Sequence, residues 1–330
     1  MLRKSPGLCF AGAVAGYIAL WLLIPRATFL PIIAKVIDGL LPFAHGVQTG
    51  CLWVAGIMVG GAPTVAFMAV QIAIVYFFAR FEMSWRRCAV VLVASLAGVV
   101  GMVALVVWQS GVAAKMGRYP SFRETLYLMG ACPSPLKMPM SLLIILAASS
   151  IGYLVSLRVR DRNLLLPVVM FAAWVDFWTV TRGPVSDVLK NAPEVAMAVA
   201  APIPAAGTGA FVPATVVGPG DFLFMALVFA AVHRLGLNGA RNYWFVFAGM
   251  TLGMLAVLFG LVGFLPALVV LAVAVVAANW GRFRLTRQEA TSMAIVGVVM
   301  IALLPVIWSI LKPPEHSKPL YHGSTEGRKH

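Results

Sequence analysis

Two aspartates lie in stretches otherwise suited to lipid. Asp176 sits in LLLPVVMFAAWVDFWTVT, and Asp221 opens DFLFMALVFAAVHRL directly after Gly218-Pro219-Gly220. A carboxylate at bilayer depth costs at least ~2.5 kcal/mol, so it marks a candidate functional site. One connecting segment separates the two stretches, so the helices carrying them run antiparallel. Asp176 falls near the end of its helix and Asp221 at the start of the next, which places both acids at similar depth. Two carboxyls in contact in a low-dielectric site do not both ionise easily. They share a proton, with apparent pKa values that belong to the pair. Such a dyad can hold a water, take its proton and protonate a leaving amine. That is peptide hydrolysis without a metal or a covalent intermediate.

Two further elements frame the acids. Gly218 and Gly220 flank Pro219; glycine relaxes the limits on backbone angle and lets a second chain approach closely. A broken backbone at membrane depth is tolerated where it lines a polar cavity or is buried in protein. Pro266-Ala267-Leu268 opens a later apolar run, where a proline at a helix entrance removes one donor and leaves carbonyls free to bind something else.

The elements that must position these residues are membrane helices. The chain has 330 residues, of which 61% are hydrophobic and only 11% charged, against about 25% charged in soluble domains. The reading is an all-α polytopic integral membrane protein. Apolar spans are expected near 8–25, 52–79, 88–109, 140–157, 163–181, 221–236, 242–262, 264–280 and 291–311, about nine in all. They group as N-terminal helices over 1–162, a catalytic core over 163–281, and an extra span with a polar, disordered tail over 282–330. Thr28–His45, with Lys35 and Asp38, reads as an interfacial amphipathic helix. Within 182–217, five prolines together with Gly207 and Gly209 give a loop, and FVPATVV before the glycine turn suggests a short strand.

Charge supports the same class. The net charge is +14, but the basic residues are scattered between apolar runs, as in loops beside anionic headgroups rather than on a nucleic-acid surface. Arg80, Arg86 and Arg87, then Arg158, Arg160 and Arg162, then Arg234 and Arg241, then Arg282, Arg284 and Arg287 fall on one side with Arg3 and Lys4. The positive-inside rule puts that side in the cytoplasm and the chain in the cell (plasma or inner) membrane. The basic stretch from Gly111 to Lys137 lands on the other side. Cys9, Cys51, Cys88 and Cys132 have no metal-ligand spacing, and neither do the histidines, so no metal or cofactor is expected.

Asp176 in an aromatic-rich span, Gly218-Pro219-Gly220-Asp221-Phe222 opening the next, and Pro266-Ala267-Leu268 two spans later together resemble the presenilin and signal peptide peptidase family of GxGD intramembrane aspartyl proteases. The resemblance covers 163–280. It implies a presenilin-like helical bundle with Asp176 and Asp221 as the catalytic pair. It implies that Gly218, Pro219, Gly220, Pro266, Ala267 and Leu268 shape the substrate site. It also implies substrates that are transmembrane helical peptides, unwound before cleavage, with Ala214–Val217 able to pair with the extended form. The chain departs from the family pattern at Val175, where tyrosine is usual, at Pro219 between the glycines, and in the extra span at 291–311. Other readings attach to the same residues. Asp221 suits a helix N-terminus, and both acids could serve as relays in a proton-coupled transporter or channel. An inactive helix-binding scaffold and a prepilin peptidase are further options, the latter lacking its tetracysteine signature here.

Overall fold

The computed structural model describes residues 5–24, 61–112, 115, 117–130, 134–181, 197–204, 213–262 and 265–283, and scattered positions from 286 to 302. The expected amphipathic segment at 28–45, the first part of the 52–79 span, Cys51, Cys132 and the polar tail lie outside the described residues. The chain divides into two compact units, Met1–Arg284 and Leu285–His330. In the second, the described positions from 287 to 302 are helical.

In the first unit the order is α1 (Pro6–Leu23), α2 (Ala62–Ala79), α3 (Trp85–Ser110), α4 (Phe122–Gly130), α5 (Ser134–Ser156) and α6 (Arg162–Thr181). It continues with β1 (Ala201–Pro204), β2 (Pro213–Val217), α7 (Pro219–Arg234), α8 (Gly239–Leu258) and α9 (Ala267–Ala278). Among the described residues, five helices are long and apolar enough to cross a membrane: α1, α2, α3, Leu136–Ser156 within α5 and Arg162–Val180 within α6. Helices occupy the expected positions up to 280, but α7 and α9, which start beside the two acids, are short. At 1.5 Å per residue, the 16 residues of α7 reach about 24 Å and the 12 of α9 about 18 Å. A hydrocarbon core of about 30 Å exceeds both.

The basic stretch from Gly111 to Lys137 contains α4. A reciprocal box starts that helix: Glu124 N–H donates to Ser121 Oγ at 3.3 Å, and Ser121 N–H to Glu124 Oε2 at 2.6 Å. Among the described residues, helix α5 already runs from Ser134 rather than from near 140.

Helix α7 is the centre of the bundle. Phe222 and every residue from Met225 to Val232 are buried, as expected for a helix that is apolar all round. It packs most extensively on α5, also on α2 and α8, and touches α6 and α9. The α5 crossing is close because Gly152 has no side chain; a Cβ there would overlap the Leu223 carbonyl oxygen. Helices α6 and α9 pack together, and α8 packs on α9, where Asn242 and Asn279 exchange amide hydrogen bonds at 3.1 and 2.7 Å. On the far side, Tyr17 meets Phe67 edge-on at 5.5 Å, joining α1 to α2.

The basic loops gather at one end. Tyr153 Oη, near the end of α5, donates to Met83 O at 3.0 Å in the α2–α3 turn. Arg234 Nη1 donates to Ser156 O at 2.6 Å, and Arg241 Nη2 to Ala277 O at 3.2 Å. These bonds bring the turns near Arg80, Arg158 and Arg234 and the end of α9 to one face of the bundle, in agreement with the shared side inferred from charge.

Candidate active site

The opposite end holds the two acids. Asp176 sits five residues before the end of α6 and is half-buried. Its Oδ2 accepts a hydrogen bond from the Leu268 backbone N–H at 2.8 Å. Leu268 lies in the first turn of α9, whose N-cap is Pro266. First-turn N–H groups have no partner within their own helix, and the helix dipole there favours a carboxylate by about 0.3–1 kcal/mol. Proline fixes the start of α9, and the sequence thereby exposes a donor at the depth of Asp176. The functional group in Pro266-Ala267-Leu268 is thus an N–H donor, not a freed carbonyl. It supplies the polar support that Val175 cannot give.

Asp221 occupies the third position of α7 and is also half-buried. Its Oδ2 accepts from the Gly218 N–H at 3.1 Å, and its own N–H donates to Gly218 O at 3.2 Å. This is one half of a capping box, since Gly218 has no side chain to return the bond. Gly218 has ordinary extended angles, φ −70° and ψ 152°, and Gly220 is not among the positive-φ glycines. Neither glycine is there for an unusual backbone. An added Cβ at Gly220 would meet nothing within 4 Å, so packing does not require glycine there and the space beside it is open.

The two carboxyls are close enough to interact electrostatically, and α6, α7 and α9 touch pairwise. The structure therefore brings Asp176, Asp221, Gly218 and Leu268 into one constellation, with Pro219, Gly220, Pro266 and Ala267 at its helix entrances. No protein-family model, curated protein or solved structure matches this chain. The case for function consequently rests on the geometry.

An antiparallel ribbon leads into the site. Ala201 pairs with Val217, Pro202 with Val216 and Ile203 with Thr215. The strand suspected before the glycine turn is present; its partner, the proline-broken stretch after Val199, was not foreseen. Pro202 and Pro204 carry no N–H, which confines β1 to the edge of the ribbon. Ala201, Ile203 and Val217 are buried, and β1 packs on α2 and α5.

Sequence reading also passed over Lys137, which is 3% exposed. Its only sequence mark is being a lone cation between Pro135 and Pro139 at the head of an apolar run. Among the described residues, no group of three or more His, Cys, Asp and Glu side chains could hold a metal ion.

Proposed function

We propose that this chain is an intramembrane aspartyl protease of the GxGD type. In this reading it hydrolyses peptide bonds within transmembrane segments, or signal-peptide remnants, in the cell membrane. One observation carries the proposal: two carboxyls at adjoining ends of helices that touch, each bound by a backbone N–H at a helix start. In the mechanism, the ionised member of the pair takes a proton from a water held between them. The protonated member gives its proton to the scissile carbonyl as the hydroxyl attacks, and the amine leaves after a second transfer. The Leu268 and Gly218 donors keep each carboxyl oriented through the exchange. The open side of Gly220 gives the substrate backbone room. Because proline limits β1 to the ribbon edge, β2 is the strand able to take up an extended peptide by strand addition.

The test is a reconstituted cleavage assay on a membrane-spanning peptide. Asp176→Asn and Asp221→Asn should each abolish cleavage while the purified protein keeps its helical content. Cleavage surviving in either single variant rules out the dyad. Proton-driven solute uptake without proteolysis would replace this reading with the transporter.

A further inference from the structure

We propose that Lys137 is a positioning residue, a clip that holds the inter-aspartate connection in place just before it enters β1. This rests on the protease reading only for its effect on substrate. The ammonium donates to three backbone carbonyls from two separate parts of the chain. It reaches Met129 O at 3.2 Å at the end of α4, Met197 O at 2.6 Å and Ala198 O at 3.5 Å. Residues 197–199 form a helical turn running directly into β1. Lys137 itself is anchored in the first turns of α5, where its carbonyl accepts from Ser141 Oγ at 2.7 Å. Met129, Met140 and Ala198 pack around it as a small apolar cluster apart from the main core.

The route from the clip to the site is short. Ala198 is three residues from Ala201, Ala201 pairs with Val217, and Val217 precedes the glycine whose N–H binds Asp221. Hydrogen bonds to a charged group are the stronger kind, and an ammonium aimed at several carbonyls holds a turn far more firmly than one backbone bond. Asp221 is also fixed by α7, which is buried independently of the ribbon. Loosening the clip therefore frees the ribbon while leaving the dyad in place. Its consequence falls on substrate docking, not on chemistry.

The experiment uses the full chain in lipid nanodiscs. Hydrogen exchange is followed for the amides of Ala201, Ile203 and Ala214–Val217, with Met225–Val232 as an internal reference. In Lys137→Met the ribbon amides should exchange about tenfold faster with the reference unchanged, and Lys137→Arg should restore most of the protection. With the membrane peptide as substrate, Lys137→Met should raise KM about tenfold and leave kcat within twofold. Unchanged ribbon exchange, an equal rise throughout α7, or a loss of kcat at constant KM overturns the clip. The expected exchange pattern in a protein whose wild-type form cleaves nothing upholds the clip and removes the protease.

Discussion

Gly152→Ala is the sharpest test of how the bundle sets the site. The added methyl would overlap the Leu223 carbonyl oxygen and lie 3.0 Å from Ala226 Cβ. Both atoms belong to α7 and one is backbone, so rotamer change cannot relieve the clash. Ordinary contact between carbons is about 3.5–4.0 Å, so α5 and α7 must separate locally by on the order of 1 Å. Overpacking of this kind costs about 1–3 kcal/mol, partly offset by the ~1 kcal/mol by which alanine outranks glycine in a helix. Asp221 lies two residues before Leu223 on the same helix and must move with it. A 1 Å misplacement of a reacting group lowers rate by on the order of 10²-fold. Gly101→Ala in α3 is the matched control, because its Cβ meets nothing within 4 Å. That variant should gain about 0.5–1 kcal/mol and keep full activity. The assays are thermal unfolding in nanodiscs and initial rates of peptide cleavage. If Gly152→Ala melts as high and cleaves as fast as Gly101→Ala, the argument from the α5–α7 crossing is wrong.

Three other outcomes follow from the same packing and hydrogen bonds. Asn242→Leu or Asn279→Leu alone orphans a buried amide and should cost about 1–3 kcal/mol, while the double variant should cost less than the sum, as a double-mutant unfolding cycle would record. The Glu124 carboxyl, on α4 outside the spans, is pushed down to about 2 from its usual 4.5, first by its hydrogen bond to Arg118 and then by those from Ser121. A depressed folded value means its contribution is present above pH 4.5 and lost as pH falls through 2, so NMR titration should place the midpoint near 2 and Arg118→Gln should move it up. Gly220→Ala should leave unfolding unchanged within about 0.5 kcal/mol, since nothing lies in the way, yet raise KM for the membrane peptide if the substrate backbone passes there.

Much of the site was legible because each part had a local signal. Lipid makes acids conspicuous, so Asp176 and Asp221 stood out, and Pro266 marked a helix start to within a residue. Backbone chemistry was harder to see. The Leu268 N–H is a donor because helix α9 begins there, and only packing of α6 on α9 brings Asp176 to it. The length of one helix was misjudged for a related reason. The apolar run reads as 264–280, but α9 spans Ala267–Ala278 because Pro266 sets where its backbone begins, whereas α7 has the 16 residues expected of 221–236. Likewise, the β1 partner was hidden because APIP has no strand signature; it pairs only because Val217 lies opposite Ala201.

Short helices and buried acids are two sides of one arrangement. A helix that crosses the whole bilayer leaves its unpaired N–H groups in the headgroups, where water satisfies them. Helices α7 and α9 are too short for that and begin within the bundle, so the N–H groups at their starts, Gly218 at the N-cap of α7 and Leu268 in the first turn of α9, need partners inside it. Asp221 and Asp176 are those partners, one on its own helix and one from α6. Each donor lowers the cost of burying a carboxyl, and each carboxyl removes the cost of an unpaired helix start. Lengthening α9 by a turn at its N-terminus would withdraw the Leu268 donor from Asp176 without touching either acid. The two acids, the glycine turn and the Pro266 helix start therefore act as a unit: the acids can be held beside each other only while both helices start where they do.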